Sequence, residues 1–150
     1  MTVDLDLAPD LPPTVGDAIQ LQQVVLNLMV NAFAAMGGPE LKARRLLVRT
    51  GRSSDGSRVE AVFEDSGAGI AADLIDRVFE PFVTTKPDGL GMGLAICRSI
   101  VEQHGGQLRA ANNPAGGATF SLALPAAPRP PPRPGPPAGR RGRAPAAAGR

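Results

Sequence analysis

Cysteine, histidine and aromatic residues are nearly missing from this chain. Its 150 residues include one cysteine, one histidine and five phenylalanines, with no Trp and no Tyr. A single thiol, Cys97, excludes an intrachain disulfide and any zinc site built on cysteines, and fits a reducing compartment. With so little aromatic surface, stacking on bases is poorly supplied, so nucleic acid is not an expected partner. No apolar run approaches the roughly 20 residues that span a bilayer. Met1 leads into Thr-Val-Asp-Leu-Asp, not into a basic and then apolar leader. The expectation is a soluble, cytoplasmic chain with no membrane segment.

Acidic residues are missing from one end. Residues 125–150 contain six arginines, nine prolines, four glycines and seven alanines and nothing else. The formal charge of +2 therefore divides into −4 for residues 1–124 and +6 for the tail. A basic folded domain cannot be inferred from that sum. Residues 1–124 are read as one domain with enough chain to bury a core. Residues 125–150 lack any hydrophobic periodicity and are read as a disordered, polyproline-like extension.

The periodicities within 1–124 alternate between two and 3.6. Val3, Leu5 and Leu7 alternate with Asp4 and Asp6 and predict a half-buried strand. Asp17, with Gln20 three residues later, resembles a capping box ahead of a helix of about twenty residues, which Gly37-Gly38-Pro39 stops. Leu21, Val24, Val25, Leu28, Ala32 and Ala35 form its apolar stripe. Arg45–Thr50 and Arg58–Asp65 predict two strands joined by a turn, and a short helical piece follows near Asp73–Phe79. A loop, 81–89, leads to a second helix from about Gly91 to His104. Gln107–Asn112 and Ala118–Leu124 predict the last hairpin. Strands paired in sequence with helices between the pairs point to an α+β two-layer sandwich with a mixed sheet.

Three features carry chemistry. Gln23, Asn27 and Asn31 recur every four residues, so they share one face of the first helix. No charged residue occurs between Asp17 and Glu40. Asn is a poor helix former, so the stripe is either a weakly polar rim or a set of neutral oxygens suited to a hard cation. Asp65 shares the inward parity of Val59, Ala61 and Phe63 and so needs a donor. That donor is either the following turn or a ligand amine such as that of adenine; Gly67 and Gly69 let backbone approach a flat ligand. Gly89-Leu-Gly-Met-Gly-Leu enters the second helix and can offer N–H groups to a phosphate, although its spacing is not that of a dinucleotide-binding loop. Between these lie Phe79 and Phe82, expected to anchor a hinge in the core, and Lys86, which can reach phosphate as a point charge or remain solvated. His104, beside Gly105-Gly106, reads as a helix-end cap and not as a phosphoacceptor.

In order, these blocks resemble the ATP-binding catalytic domain of sensor histidine kinases, of the GHKL (Bergerat-fold) superfamily. The N box is Gln23-Val-Val-Leu-Asn27-Leu-Met-Val-Asn31-Ala, and the first glycine box is Asp65-Ser-Gly67-Ala-Gly69-Ile70. The phenylalanine box is Phe79-Glu-Pro-Phe82, and the second glycine box is Gly89-Leu-Gly91-Met-Gly93-Leu. The stretches 80–86 and 102–106 are similar to the PAS-linked oxygen- and nitrogen-sensing branch. The resemblance implies a two-layer sandwich, its mixed, mainly antiparallel sheet covered on one face by about three helices. It implies ATP and Mg²⁺ as cofactors. Asp65 would bind the adenine amine, with Gly67, Gly69 and Ile70 shaping that pocket. Asn31 would hold Mg²⁺, and Asn27 would line the same site. Thr85, Lys86, Gly89, Leu90, Gly91, Met92, Gly93 and Leu94 would form the phosphate side of a lid. Asn27, Asn31 and Lys86 are the expected catalytic groups, and phosphoryl transfer would go to a histidine on a dimerisation domain, with a response regulator downstream. A GHKL-type ATPase and a non-catalytic nucleotide sensor are the alternatives. The related ATPase branches carry a glutamate general base where this chain has Asn27.

Overall fold

In a computed structural model of the chain, residues 1–40, 43–83, 92–128 and 134–136 are described. Five strands and two α-helices follow in the order β1 (Thr2–Asp6), α1 (Ala18–Ala35), β2 (Arg45–Arg52), β3 (Arg58–Asp65), α2 (Gly93–Gln103), β4 (Gln107–Asn112) and β5 (Ala118–Pro125). The sheet order is β1-β2-β3-β5-β4. Only the β1–β2 pair is parallel; the other three are antiparallel. The α+β sandwich with a mixed, mainly antiparallel sheet is therefore observed.

Residue alternation fixes which face is covered. On β5, Ala118, Phe120, Leu122 and Leu124 point inward and are buried, while the intervening residues are half-buried. The register aligns Val48, Phe63, Phe120 and Ala110 across β2, β3, β5 and β4. Val24, Leu28 and Ala32 of α1 and Cys97, Ile100 and Val101 of α2 close over this apolar layer. Each fully buried Val or Leu in such a layer contributes roughly 1.5–3 kcal/mol. The opposite sheet face presents Arg58, Glu60, Gln107, Arg109 and Ser121 around a shallow depression of about 310 Å³.

Four expectations need correction. The predicted third helix is only a 3₁₀ turn, Ile75–Arg77, so two α-helices cover the sheet among the described residues. β1 is not half-buried: Val3 is 44% and Leu5 64% exposed. They lie on the covered side by register, opposite Leu46 and Val48, but β1 is the edge strand and the helices stand over β3 and β4. Phe79 does anchor in the core, edge-on to Phe120 at 6.2 Å, yet Phe82 is 76% exposed and has φ 67°. The capping box is half-formed. Asp17 Oδ1 accepts from the N–H groups of Ile19 and Gln20, but the Asp17 N–H donates to His104 Nε2.

α1 is long and apolar enough to cross a membrane by length and composition, with mean hydropathy 1.3. Here it is a core helix, with Val24 and Leu28 fully buried against the sheet. Pairing continues past Leu124: Pro125 O accepts from Thr14 Oγ1, Ala126 N donates to Ser57 O, and Ala127 N to Pro13 O.

Candidate functional site

α1 and α2 run antiparallel. The start of α1 meets the end of α2 through Asp17 and His104, and the Val24 carbonyl lies 3.9 Å from the Cys97 thiol further along. As residue number rises along α1 it falls along α2. The C-terminal half of α1, with Asn27 and Asn31, is thereby brought toward the N-terminal end of α2.

The two amides are not equivalent. Asn27 is half-buried and hydrogen-bonds the Cys97 thiol, whose pKa burial pushes up while that bond pulls it down. Asn31 is half-buried one turn before Ala35. Gly67 approaches the end of this helix so closely that a Cβ there would stand 2.6 Å from Ala35 O and 2.9 Å from Asp65 Oδ1. Alanine at this position has no room, which explains the glycine. The Ala68 N–H also donates to Ala35 O, at 3.4 Å.

Asp65 sits at the end of β3 and is 4% exposed. Its Oδ1 accepts from Gly67 N at 2.9 Å and Ala118 N at 3.2 Å. Burial raises its pKa above the ordinary 3.8, against these two amide bonds, which lower it. The carboxylate therefore braces the following turn through Oδ1, and its Oδ2 receives no hydrogen bond from the described residues.

The turn after Asp65 is held by residues that the sequence pattern did not single out. Asn112 behaves like a strand partner to Ile70: its Oδ1 accepts from Ile70 N and its Nδ2 donates to Ile70 O, both at 2.7 Å. Gly69, at φ 79°, passes within 3.0 Å of the same amide, measured from where a Cβ would stand. Asn113 Nδ2 donates to Asp65 O at 3.1 Å, and its Oδ1 accepts from Thr119 Oγ1. Gly117, at φ 92°, lies so close that a Cβ would fall 1.9 Å from Asp65 O. The Asn113-Pro-Ala-Gly-Gly117 sequence reads as a hairpin turn; its role as a clamp on Asp65 shows only when β5 is placed beside β3.

On the other side, α2 starts at Gly93 after Met92, and no side chain among the described residues caps it. Its first N–H groups are therefore without a capping partner of the Ser, Thr or Asp type. Met92 and Leu94 are half-buried, and Leu94 packs against the core. Thr85, Lys86, Gly89, Leu90 and Gly91 lie outside the described residues. Among the described residues no cluster of three or more His, Cys, Asp or Glu side chains can cage a metal.

The chain matches the model of the histidine kinase-, DNA gyrase B-, and HSP90-like ATPases over residues 16–128. It is 42% identical over 125 residues to the sensor protein TdiS of Thauera aromatica, covering 83% of this chain and 23% of TdiS. The solved structure of the mycobacterial sensor histidine kinase MprB has a TM-score of 0.70 at 29% identity, covering 84% of this chain and 85% of that one. Full-length ShkA, solved in complex with AMPPNP, has a TM-score of 0.71 at 31% identity, covering 88% of this chain and 27% of ShkA. The chain belongs to this ATPase family and is, within it, a catalytic ATP-binding domain of the sensor histidine kinase type. It spans about a quarter or less of the length of three curated sensor-protein relatives, TdiS among them.

Proposed function

We propose that this domain binds Mg-ATP between Asp65 and the N-terminal end of α2 and presents the γ-phosphoryl to a histidine on a separate dimerisation domain. A response regulator would then receive the phosphoryl group, in the cytoplasm. The observation that carries this reading is Asp65. A buried carboxylate at a strand end, with one oxygen loaded by backbone and a glycine turn beside it, suits an exocyclic adenine amine as third donor. The uncapped start of α2 supplies N–H groups and the positive end of a helix dipole for the phosphates. Thr85, Lys86, Gly89, Leu90 and Gly91 would complete that side.

The donor set fits Mg²⁺ of the nucleotide-borne kind. Such an ion takes most of its oxygens from phosphates and water and needs only one or two from protein. Asn31 would supply one as a neutral amide, with Asn27 beside it, and neither adds negative charge near a polyanion. Bound Mg²⁺ would neutralise charge on the phosphates as the phosphoryl group departs. The residues of this chain hold and orient the nucleotide. His104 is unsuited as acceptor, because both ring nitrogens are engaged, with Asp17 N and Ile100 O.

Calorimetric titration with Mg-ATP tests the site. Asp65→Asn and Asn31→Ala should each weaken affinity at least about tenfold, as loss of a bond to a charged group does, with both variants folded. Unchanged affinity in both rejects the assignment. Mixing the domain and Mg-ATP with an isolated histidine-bearing dimerisation domain should give acid-labile phosphate; tight ATP binding without transfer rejects the kinase step.

A further inference from the structure

Among the described residues, one side-chain hydrogen bond joins the far ends of the two site helices. His104 follows the last residue of α2, and its ring reaches across to the N-cap of α1. Asp17 N donates to Nε2 at 3.0 Å. A backbone N–H can only donate, so Nε2 is the acceptor and the proton sits on Nδ1. Nδ1 in turn donates to Ile100 O at 2.7 Å, a carbonyl that also accepts the His104 backbone N–H. The two partners thus define a single tautomer.

The arrangement has further marks of a built contact. Asp17 is three residues before Gln20, the spacing at which a helix usually satisfies its N-cap N–H from its own side chain. That N–H is given to His104 instead. Gly16 lies flat on the ring: a Cβ there would stand 2.4 Å from Cδ2 and 2.7 Å from Nε2. The ring's own position is set by the turn behind it. Gly106 N donates to Val101 O and Gly105 N to Glu102 O, with Gly105 at φ 73°, the pattern that ends a helix in one geometry.

We infer that His104 is a positioning residue for the nucleotide site: as an Nδ1–H imidazole it latches α2 to α1 and sets the axial register of Gly93 against Asn27 and Asn31. The inference rests on the nucleotide reading above. The latch acts at a distance. α2 has 11 residues and is therefore about 16 Å long, so the ring touches neither phosphate nor adenine. Two packed antiparallel helices move along each other as rigid rods. Fixing one pair of ends fixes the register of the other pair, where the amides and the helix N-terminus must face one ligand.

Two near-isosteric substitutions separate the latch from simple helix capping. Asn places its amide where Nδ1 stands, keeping the bond to Ile100 O and losing Asp17. Gln reaches the place of Nε2 and can accept from Asp17 N while giving up Ile100 O. In the full 150-residue chain, His104→Asn should weaken Mg-ATP binding roughly three- to tenfold, the equivalent of one net hydrogen bond. His104→Gln should retain affinity within about twofold. Equal affinities in wild type and both variants, or equal losses in both, overturn the inference. Because the chain has one histidine, long-range ¹⁵N–¹H correlation spectra read the ring directly and without nucleotide. A protonated Nδ1 and an unprotonated, hydrogen-bonded Nε2 are expected; the opposite tautomer overturns the latch even if ATP binds. Wild-type protein with the expected tautomer and no ATP binding instead rejects the nucleotide reading on which this role depends.

Discussion

Replacing Gly117 by alanine should pull the β4–β5 turn away from Asp65. The added Cβ would lie 1.9 Å from Asp65 O, against ordinary carbon contact distances of about 3.5 Å or more. The turn must therefore retreat by roughly 1.5 Å. Two hydrogen bonds stretch with it, Asn113 Nδ2 to Asp65 O and Ala118 N to Asp65 Oδ1, each worth about 1 kcal/mol net. Alanine at φ 92° adds about 1–2 kcal/mol of backbone strain. The sum is about 3–4 kcal/mol, or a fall in Tm of about 10–15 °C for a domain of this size. Gly116 is the internal control. It has φ 103° but nothing within 4 Å of a Cβ, so Gly116→Ala carries the strain alone and should cost about 1–2 kcal/mol. Thermal unfolding by circular dichroism compares the two, and Mg-ATP titration should show weaker binding only for Gly117→Ala. Equal melting temperatures in the two variants refute the argument that this turn clamps the carboxylate.

Burial raises the pKa of Asp65 above 3.8, so within that interval the folded protein holds a proton that the unfolded chain releases. Its contribution to stability is therefore present at acid pH and is lost as pH rises through the folded value. Urea unfolding of wild type minus Asp65→Asn should show this slope, and a difference that is flat across the acid range refutes it. Asp55 behaves oppositely. The Ser57 N–H and then the Ser53 and Ser57 hydroxyls hold it at about 2, so the stability it adds is present above 3.8 and is lost as pH falls from there through about 2. A carboxyl ¹³C titration midpoint at or above 3.8 contradicts those bonds. Truncation after Pro128 should leave Tm and ATP affinity unchanged. Truncation after Leu124 removes the Thr14–Pro125 and Ala127–Pro13 bonds and should lower Tm by several degrees at about 1 kcal/mol per bond.

Where local periodicity decides structure, the sequence was sufficient. β3 and β4 have the expected bounds, and the inward parity that put Asp65 with Phe63 holds. What periodicity cannot supply is position in the sheet. Val3 and Leu5 alternate as a buried face would, yet an edge place leaves them exposed. Phe82 follows the same rule: apolar character says that a side chain can pack, not that a neighbour is there. The capping box is only half-formed for a related reason, since its spacing was right but the Asp17 N–H goes to an acceptor, His104, from elsewhere in the chain. Asn112 reads from the sequence only as a strand end and Asn113 only as a turn former. Their bonds to Ile70 and Asp65 span 42 and 48 residues, a separation no local pattern reports.

The charge distribution follows from the same geometry. A −4 body that binds a polyanion cannot rely on its long-range field, which works against binding. The compensation has to be local and dipolar. α1 supplies neutral amides and no charged side chain between Asp17 and Glu40, and α2 offers an uncapped N-terminus. The antiparallel pairing places these at one end and the latch at the other. Short-range dipoles of this kind fall off within a helical turn, about 5 Å, so their value depends on the register of the two helices. A site built this way needs its helices locked where a site built on a cluster of lysines would not. In the proposed site, the bond between Asp17 and His104 would meet that need without placing a further charge near the nucleotide.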